Sequence, residues 1–151
     1  MISKMYPFWA ALIGMVSGQL MKPIFYFIRT RKWKPHLLLE AGGFPSSHTA
    51  TVFALSLAVG IQESFNSTIF AVTLAVALVI AYDAANVRYY AGENIRITNQ
   101  LIRDVQELMS LEFDDPIYKT KVKEVLGHKW REVVAGGVWG LLVAWILQYF
   151  R

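Results

Sequence analysis

The sequence contains no cysteine, which excludes a disulfide framework and a thiolate metal site. Charge is scarce too. Only 17% of residues are Asp, Glu, Lys or Arg, against about a quarter in a soluble domain, and these charges are clumped. No stretch alternates apolar and polar residues as a half-buried strand does, and there is no internal repeat or low-complexity tract. The formal net charge is only +4. The basic residues flank apolar runs rather than covering a polar surface, which points to a membrane surface and away from nucleic acid.

Apolar residues are in excess: 55% of the 151 residues, with a mean hydropathy of +0.37. The length allows one domain, residues 1–151, and no shift in composition marks a boundary within it. Four stretches are long and apolar enough to enter a bilayer core of ~30 Å, which takes about 20 helical residues: 7–28, 41–62, 64–82 and 133–150. Lys4 precedes the first as it would in a signal peptide. However, Gln19 and Lys22 interrupt that stretch and no small-x-small cleavage pattern follows, so a retained helix is expected. Gly42, Gly43 and Pro45 make the start of the second stretch a loop, with its helix beginning near Ser46 or Ser47. In the fourth, the Gly136-x-x-x-Gly140 spacing lets a neighbouring helix approach closely.

Residues 84–131 are polar. Leu101, Ile102, Val105, Leu108 and Met109 recur there at helical spacing, predicting an amphipathic helix. Asp114-Asp115-Pro116 then supplies a stop and a new helix start, and Gly127 ends a short basic helix. The expected architecture is all-α: an integral membrane bundle of about four embedded helices, with an amphipathic segment before the last.

Four groups of residues could carry chemistry. In Gly42-Gly43-Phe44-Pro45-Ser46-Ser47-His48, a tight loop leads into a helix N-terminus, whose unpaired N–H groups and partial positive charge suit an oxyanion. His48, in the first turn, can donate a proton near neutral pH. The plain alternative is an ordinary helix cap with an interfacial histidine. In Gly127-His128-x-x-x-Glu132, residues four apart share a helix face. Glu132 can therefore accept from one ring nitrogen of His128 and leave the other free as nucleophile or base; alternatively the two form an exposed helix-start pair. Lys22 and Arg29 lie on much the same helix face, where they could hold phosphate oxygens. Snorkelling to lipid headgroups explains Arg29, Arg31, Lys32 and Lys34 equally well, but explains Lys22 poorly. Last, Asp83-Ala84-Ala85-Asn86-Val87-Arg88 sets an acid and a base at a membrane boundary, as a ligand site or a structural ion pair.

Together these motifs resemble a known family. Lys22-x6-Arg29, Pro45-Ser46-Ser47-His48 and His128-x-x-x-Glu132 occur in the order of the three signatures of the type 2 phosphatidic acid phosphatase superfamily, which includes acid phosphatases and vanadium haloperoxidases. The chain is most similar to the divergent bacterial and plastid branch, through Arg29-Thr30-Arg31, Gly42-Gly43-x-Pro45-Ser46-Ser47-His48, Tyr82-Asp83-Ala84-Ala85-x-Val87-Arg88 and Leu126-Gly127-His128 followed by Glu132-Val133. The resemblance implies a metal-independent phosphatase without a cofactor. In it His128 forms a phosphohistidine and Glu132 orients that ring, where an Asp is usual. His48 protonates the leaving oxygen, and Lys22, Arg29 and the Ser46–Ser47 region bind phosphate. The chain departs from the pattern at three places. Thr30 stands where Pro follows the arginine, Ser47 replaces Gly, and the Ser-Arg pair before the nucleophile is missing. The position of that arginine is Val122, between Lys121 and Lys123, so Arg88 or one of these lysines would have to replace it.

The expected function is hydrolysis of a lipid phosphate or polyprenyl diphosphate in a membrane, a bacterial cytoplasmic membrane or a plastid membrane. The partners are membrane lipids and the phosphorylated lipid substrate, and a homo-oligomer is compatible with the chain. The rival is a non-catalytic protein that binds or moves an anionic phospholipid through the same pocket. A metal site of His48, His128, Asp83 and Glu132 fits less well, because neither histidine motif has a zinc-ligand spacing. The basic loops beside both histidines predict a pocket that opens to the cytoplasm.

Overall fold

The computed structural model describes residues 3–40, 42–109 and 128–150. Among them there are helices and no strand: α1 (Tyr6–Thr30), α2 (Ser47–Glu63), α3 (Thr68–Ala85), α4 (Val87–Met109) and α5 (Trp130–Leu147), with short 3-10 helices at Ser3–Met5, Pro35–Leu39 and Gln148–Phe150. The starts of α2 and α3 follow from their caps. Ser46 accepts a hydrogen bond from the Thr49 N–H and Ser67 from that of Phe70, which satisfies one of the donors a helix start leaves open. The second apolar stretch therefore becomes helical at Ser47, as the loop residues before it predict.

Among the described residues, three helices are long and apolar enough to cross a bilayer: α1, α3 with its continuation into α4, and α5 with its terminal 3-10 turn. α2 has 17 residues, about 25 Å at 1.5 Å per residue, and it is enclosed by the other three. Apolar length in the sequence does not distinguish a helix facing lipid from one surrounded by helices. Small residues do the enclosing. Ala50, Ala54 and Ala58 of α2 are fully buried; Gly14 and Gly18 of α1 pack against Ala50, Ala54 and Ser47, and Gly136 and Gly140 of α5 against Ser46, Thr49 and Ala50. A Cβ at Gly14 would lie 3.0 Å from both the Ala50 oxygen and the Ala54 Cβ; one at Gly140 would collide with the Ala50 carbonyl. In lipid, where apolar burial does not drive helices together, such close backbone approach supplies much of the packing. Two polar ties join α1 to α5: Tyr6 donates its hydroxyl to the Ala144 carbonyl at 2.6 Å, and the Trp139 indole donates to Ser17 at 2.9 Å.

The long apolar side chains point outward. Leu20, Val72, Val79, Val138 and Ile146 are all more than half exposed except Ile146, which is 50% exposed, while the interior is built of alanine, glycine and serine. That inversion suits lipid as the surrounding solvent.

The amphipathic helix expected within 84–131 is α4, and it begins earlier than its apolar spacing indicates. Only Asn86 separates it from α3, and the chain stays hydrogen-bonded through that residue, Asn86 N–H to Tyr82 O and Tyr90 N–H to Asn86 O. The expected stop at Asp114-Asp115-Pro116, the basic helix ending at Gly127, and Lys121, Val122 and Lys123 lie outside the described residues.

Candidate active site

α1 and α3 run toward one end of the bundle, and α2 and α5 start from it, so the end of α1, the start of α2, the end of α3 and the start of α5 meet there. Backbone hydrogen bonds lock the three later segments together. Ser46 N–H donates to Glu132 O at 3.0 Å, and His128 N–H donates to Ala84 O at 3.1 Å. The Thr49 hydroxyl reaches Val133 O at 3.0 Å. The His48 and His128 motifs, 80 residues apart in sequence, are thereby held in one frame, and their ring centroids stand 6.0 Å apart.

His128 is 2% exposed. Its Nδ1 lies 3.3 Å from Glu132 Oε2. An ionised carboxylate only accepts, so the pairing puts the proton on Nδ1 and leaves a lone pair on Nε2. Nε2 is buried and has no hydrogen-bond partner among the described residues. The same Oε2 accepts the Lys129 N–H at 3.2 Å, the reach-back half of a capping box. Glu132 thus caps the start of α5 and orients the imidazole with one oxygen. The exposed helix-start pair that the spacing also allowed is not what forms, because burial removes water as the competing partner.

Lys22 is buried at 2% exposure, and its Nζ donates to the Glu40 carbonyl at 2.8 Å. It does not snorkel to lipid. The segment after α1 folds back over it, held by Gln19, whose amide donates to Leu38 O at 2.7 Å and Glu40 O at 3.1 Å. Gly43 has φ +101°, and a Cβ there would sit 3.7 Å from Lys22 Cδ. That left-handed backbone favours glycine.

Lys22 opens onto a cavity of about 460 Å³, within the usual range of roughly 300–1,000 Å³ for ligand pockets. One part of its wall is charged, with Lys22, Arg29, Arg131 and Glu132; the rest is mostly apolar, including Phe25, Ile28, Leu37 and Phe44. Glu132 links this cavity to His128. Ser46 and Ser47 are buried at the start of α2 and do not line the cavity; the Ser46 hydroxyl serves as the α2 cap. Asp83 is half-buried at the end of α3, next to the Ala84 carbonyl that holds His128. Arg88 lies in the first turn of α4, and its side chain is outside what the structure describes. Among the described residues, no three His, Asp or Glu side chains are grouped to hold a metal ion.

Sequence reasoning missed Arg131 as a cavity residue and Gly14-x-x-x-Gly18 as a second close-packing stripe. The second was legible from its spacing alone. The first was visible only as one of several basic residues before the last helix, since its role depends on which wall of α1 it faces.

Comparison with known proteins gives the same family as the motifs. Residues 3–143 match a family described as "Divergent PAP2 family". A relative from Bacillus subtilis (strain 168), named as the uncharacterized membrane protein YuiD, is 35% identical over 150 residues, spanning 96% of this chain and 95% of the relative. No solved structure matches.

Proposed function

Since the chain belongs to the divergent PAP2 family, we propose that it is a membrane-embedded, metal-independent phosphatase acting on a lipid phosphate or diphosphate through His128. One observation carries the reading: a buried imidazole fixed at Nδ1 by a carboxylate, with Nε2 unpartnered, linked through Glu132 to a cavity of cations and apolar side chains. The cations suit phosphate oxygens and the apolar wall suits a hydrocarbon chain.

In this mechanism Lys22 and Arg29 hold the phosphate in the cavity. His128 is buried behind Glu132 and does not itself line the cavity, and it is uncovered for Nε2 to meet the phosphate. The Nε2 lone pair forms a bond to phosphorus as the bond to the leaving oxygen breaks, and protonated His48 gives that oxygen its proton. Water then attacks the phosphohistidine while His48 takes a proton from it. The P–N bond breaks, inorganic phosphate leaves, and both histidines return to their starting states. Glu132 stabilises the His128 imidazolium character that develops in each step.

The test is phosphate release by purified protein from phosphatidate, phosphatidylglycerophosphate and a polyprenyl diphosphate, with and without EDTA. Release should be unaffected by EDTA, inhibited by vanadate and absent in His128→Ala. Full turnover by His128→Ala, or loss on chelation, overturns the mechanism. Lipid binding with no turnover on any substrate would instead favour a protein that binds or moves an anionic phospholipid.

A further inference from the structure

Cations dominate the cavity wall among the described residues. Lys22 and Arg29 come from α1, Arg131 from the first turn of α5, and the one carboxylate among the described lining residues, Glu132, is already committed to His128 and to the Lys129 N–H. A cleft lined by cations with apolar walls focuses their field and raises the local concentration of anions. Arg131 is also well anchored for such a role. The next residue, Glu132, has its carbonyl held by Ser46 N–H, so the backbone that carries the guanidinium is fixed relative to the imidazole pair. In the family pattern that the chain resembles, an arginine stands where this chain has Val122.

We propose that Arg131 is a phosphate-binding residue: its guanidinium faces Lys22 and Arg29 across the cavity and takes the place of the arginine missing before His128. The assignment rests on the phosphatase-like reading of the cavity, and it names a residue from the α5 wall rather than Arg88, Lys121 or Lys123. The alternative for an exposed arginine at this depth is contact with lipid headgroups.

Binding of orthovanadate to the purified full chain in neutral detergent, measured by calorimetry, separates these cases without depending on turnover. The wild type should bind. Arg131→Gln should weaken binding about ten- to a hundredfold, the range for one charge-assisted hydrogen-bonding partner. Arg131→Lys should fall between them because a point charge does not reproduce the planar fork. Arg103→Gln, an equal loss of charge on α4 away from the cavity, should bind like the wild type. Wild-type affinity in Arg131→Gln overturns the assignment while leaving the phosphate-site reading intact, most directly if Arg88→Gln loses binding instead. An equal loss in Arg131→Gln and Arg103→Gln overturns it too, as an effect of overall charge. No vanadate binding by the wild type overturns the phosphate-site reading itself, and this assignment with it.

Discussion

Glu132 has one carboxylate oxygen shared between the Lys129 N–H and the His128 ring, so substitutions there divide its structural and chemical roles. Glu132→Gln keeps an acceptor oxygen of the same shape, and the cap should survive. What it loses is the charge that favours imidazolium character on His128. The expected result is a drop in kcat on the order of 10² to 10⁴, comparable to other losses of the group that orients a catalytic imidazole, with KM little changed and the melting temperature close to wild type. Glu132→Ala should lose both activity and stability. Steady-state kinetics beside thermal denaturation checks the division; a Glu132→Gln protein as active as wild type would mean that His128 needs an acceptor there but no negative charge. At this scale the pairing of His128 with Glu132 was legible from a four-residue spacing read as one helix face. However, α5 begins at Trp130 and His128 stands before its cap, so the contact is made by Glu132 reaching back from the first turn. The Ala84 carbonyl that holds the His128 N–H was not readable, since it depends on how α3 meets α5.

At the scale of elements, the glycines of α5 carry the arrangement, and they differ in a checkable way. A Cβ on Gly136 would collide with the Ser46 carbonyl and the Thr49 hydroxyl, and one on Gly140 with the Ala50 carbonyl, whereas one on Gly137 meets Phe53 at an ordinary 3.5 Å. Two of those obstacles are backbone carbonyls, which cannot swing aside as a side chain can. Gly136→Ala and Gly140→Ala should therefore destabilise the protein by about 1–3 kcal/mol, the usual cost of overpacking, and push α5 away from α2. Gly137→Ala should be nearly neutral. Thermal denaturation in detergent reads the difference, and equal effects at the three positions would show that helix propensity rather than contact decides. Gly136→Ala should also lower activity, because it presses on Ser46, which ties the His48 loop to Glu132. The Gly136-x-x-x-Gly140 spacing announced a close neighbour but not its identity. That neighbour is α2, whose first two turns also receive Gly14 and Gly18 of α1, a meeting that depends on how three helices come together. α2 is less apolar than α3, and the alanines and serines on every turn of α2 mark it as enclosed.

One end of the molecule is rich in basic residues and the other poor in them, and this asymmetry bears on its orientation in the membrane. Arg29, Arg31, Lys32 and Lys34 follow α1, and Lys129 and Arg131 precede α5, whereas residues 62–68, between α2 and α3, contain no basic residue. Basic residues in short loops near helix ends favour the cytoplasmic side. A phosphate site needs cations of its own, so part of this asymmetry could reflect chemistry alone. Lys22, Arg29 and Arg131 line the cavity, but Arg31, Lys32 and Lys34 do not. That surplus has no work to do in the cavity and is what carries the orientation argument: the site end should face the cytoplasm, and the turn between α2 and α3 the opposite side. The chain has no cysteine, so single introduced thiols report without background. Lys32→Cys and Asn66→Cys are suitable because both residues are exposed; Ser64 is less so because its φ of 88° is a strained conformation for a side-chain-bearing residue. In intact cells treated with a membrane-impermeant thiol reagent, Asn66→Cys should be labelled and Lys32→Cys should be labelled only after the membrane is permeabilised. The reverse pattern would put the cavity on the outer face, and would mean that the surplus cations serve lipid headgroups rather than topology.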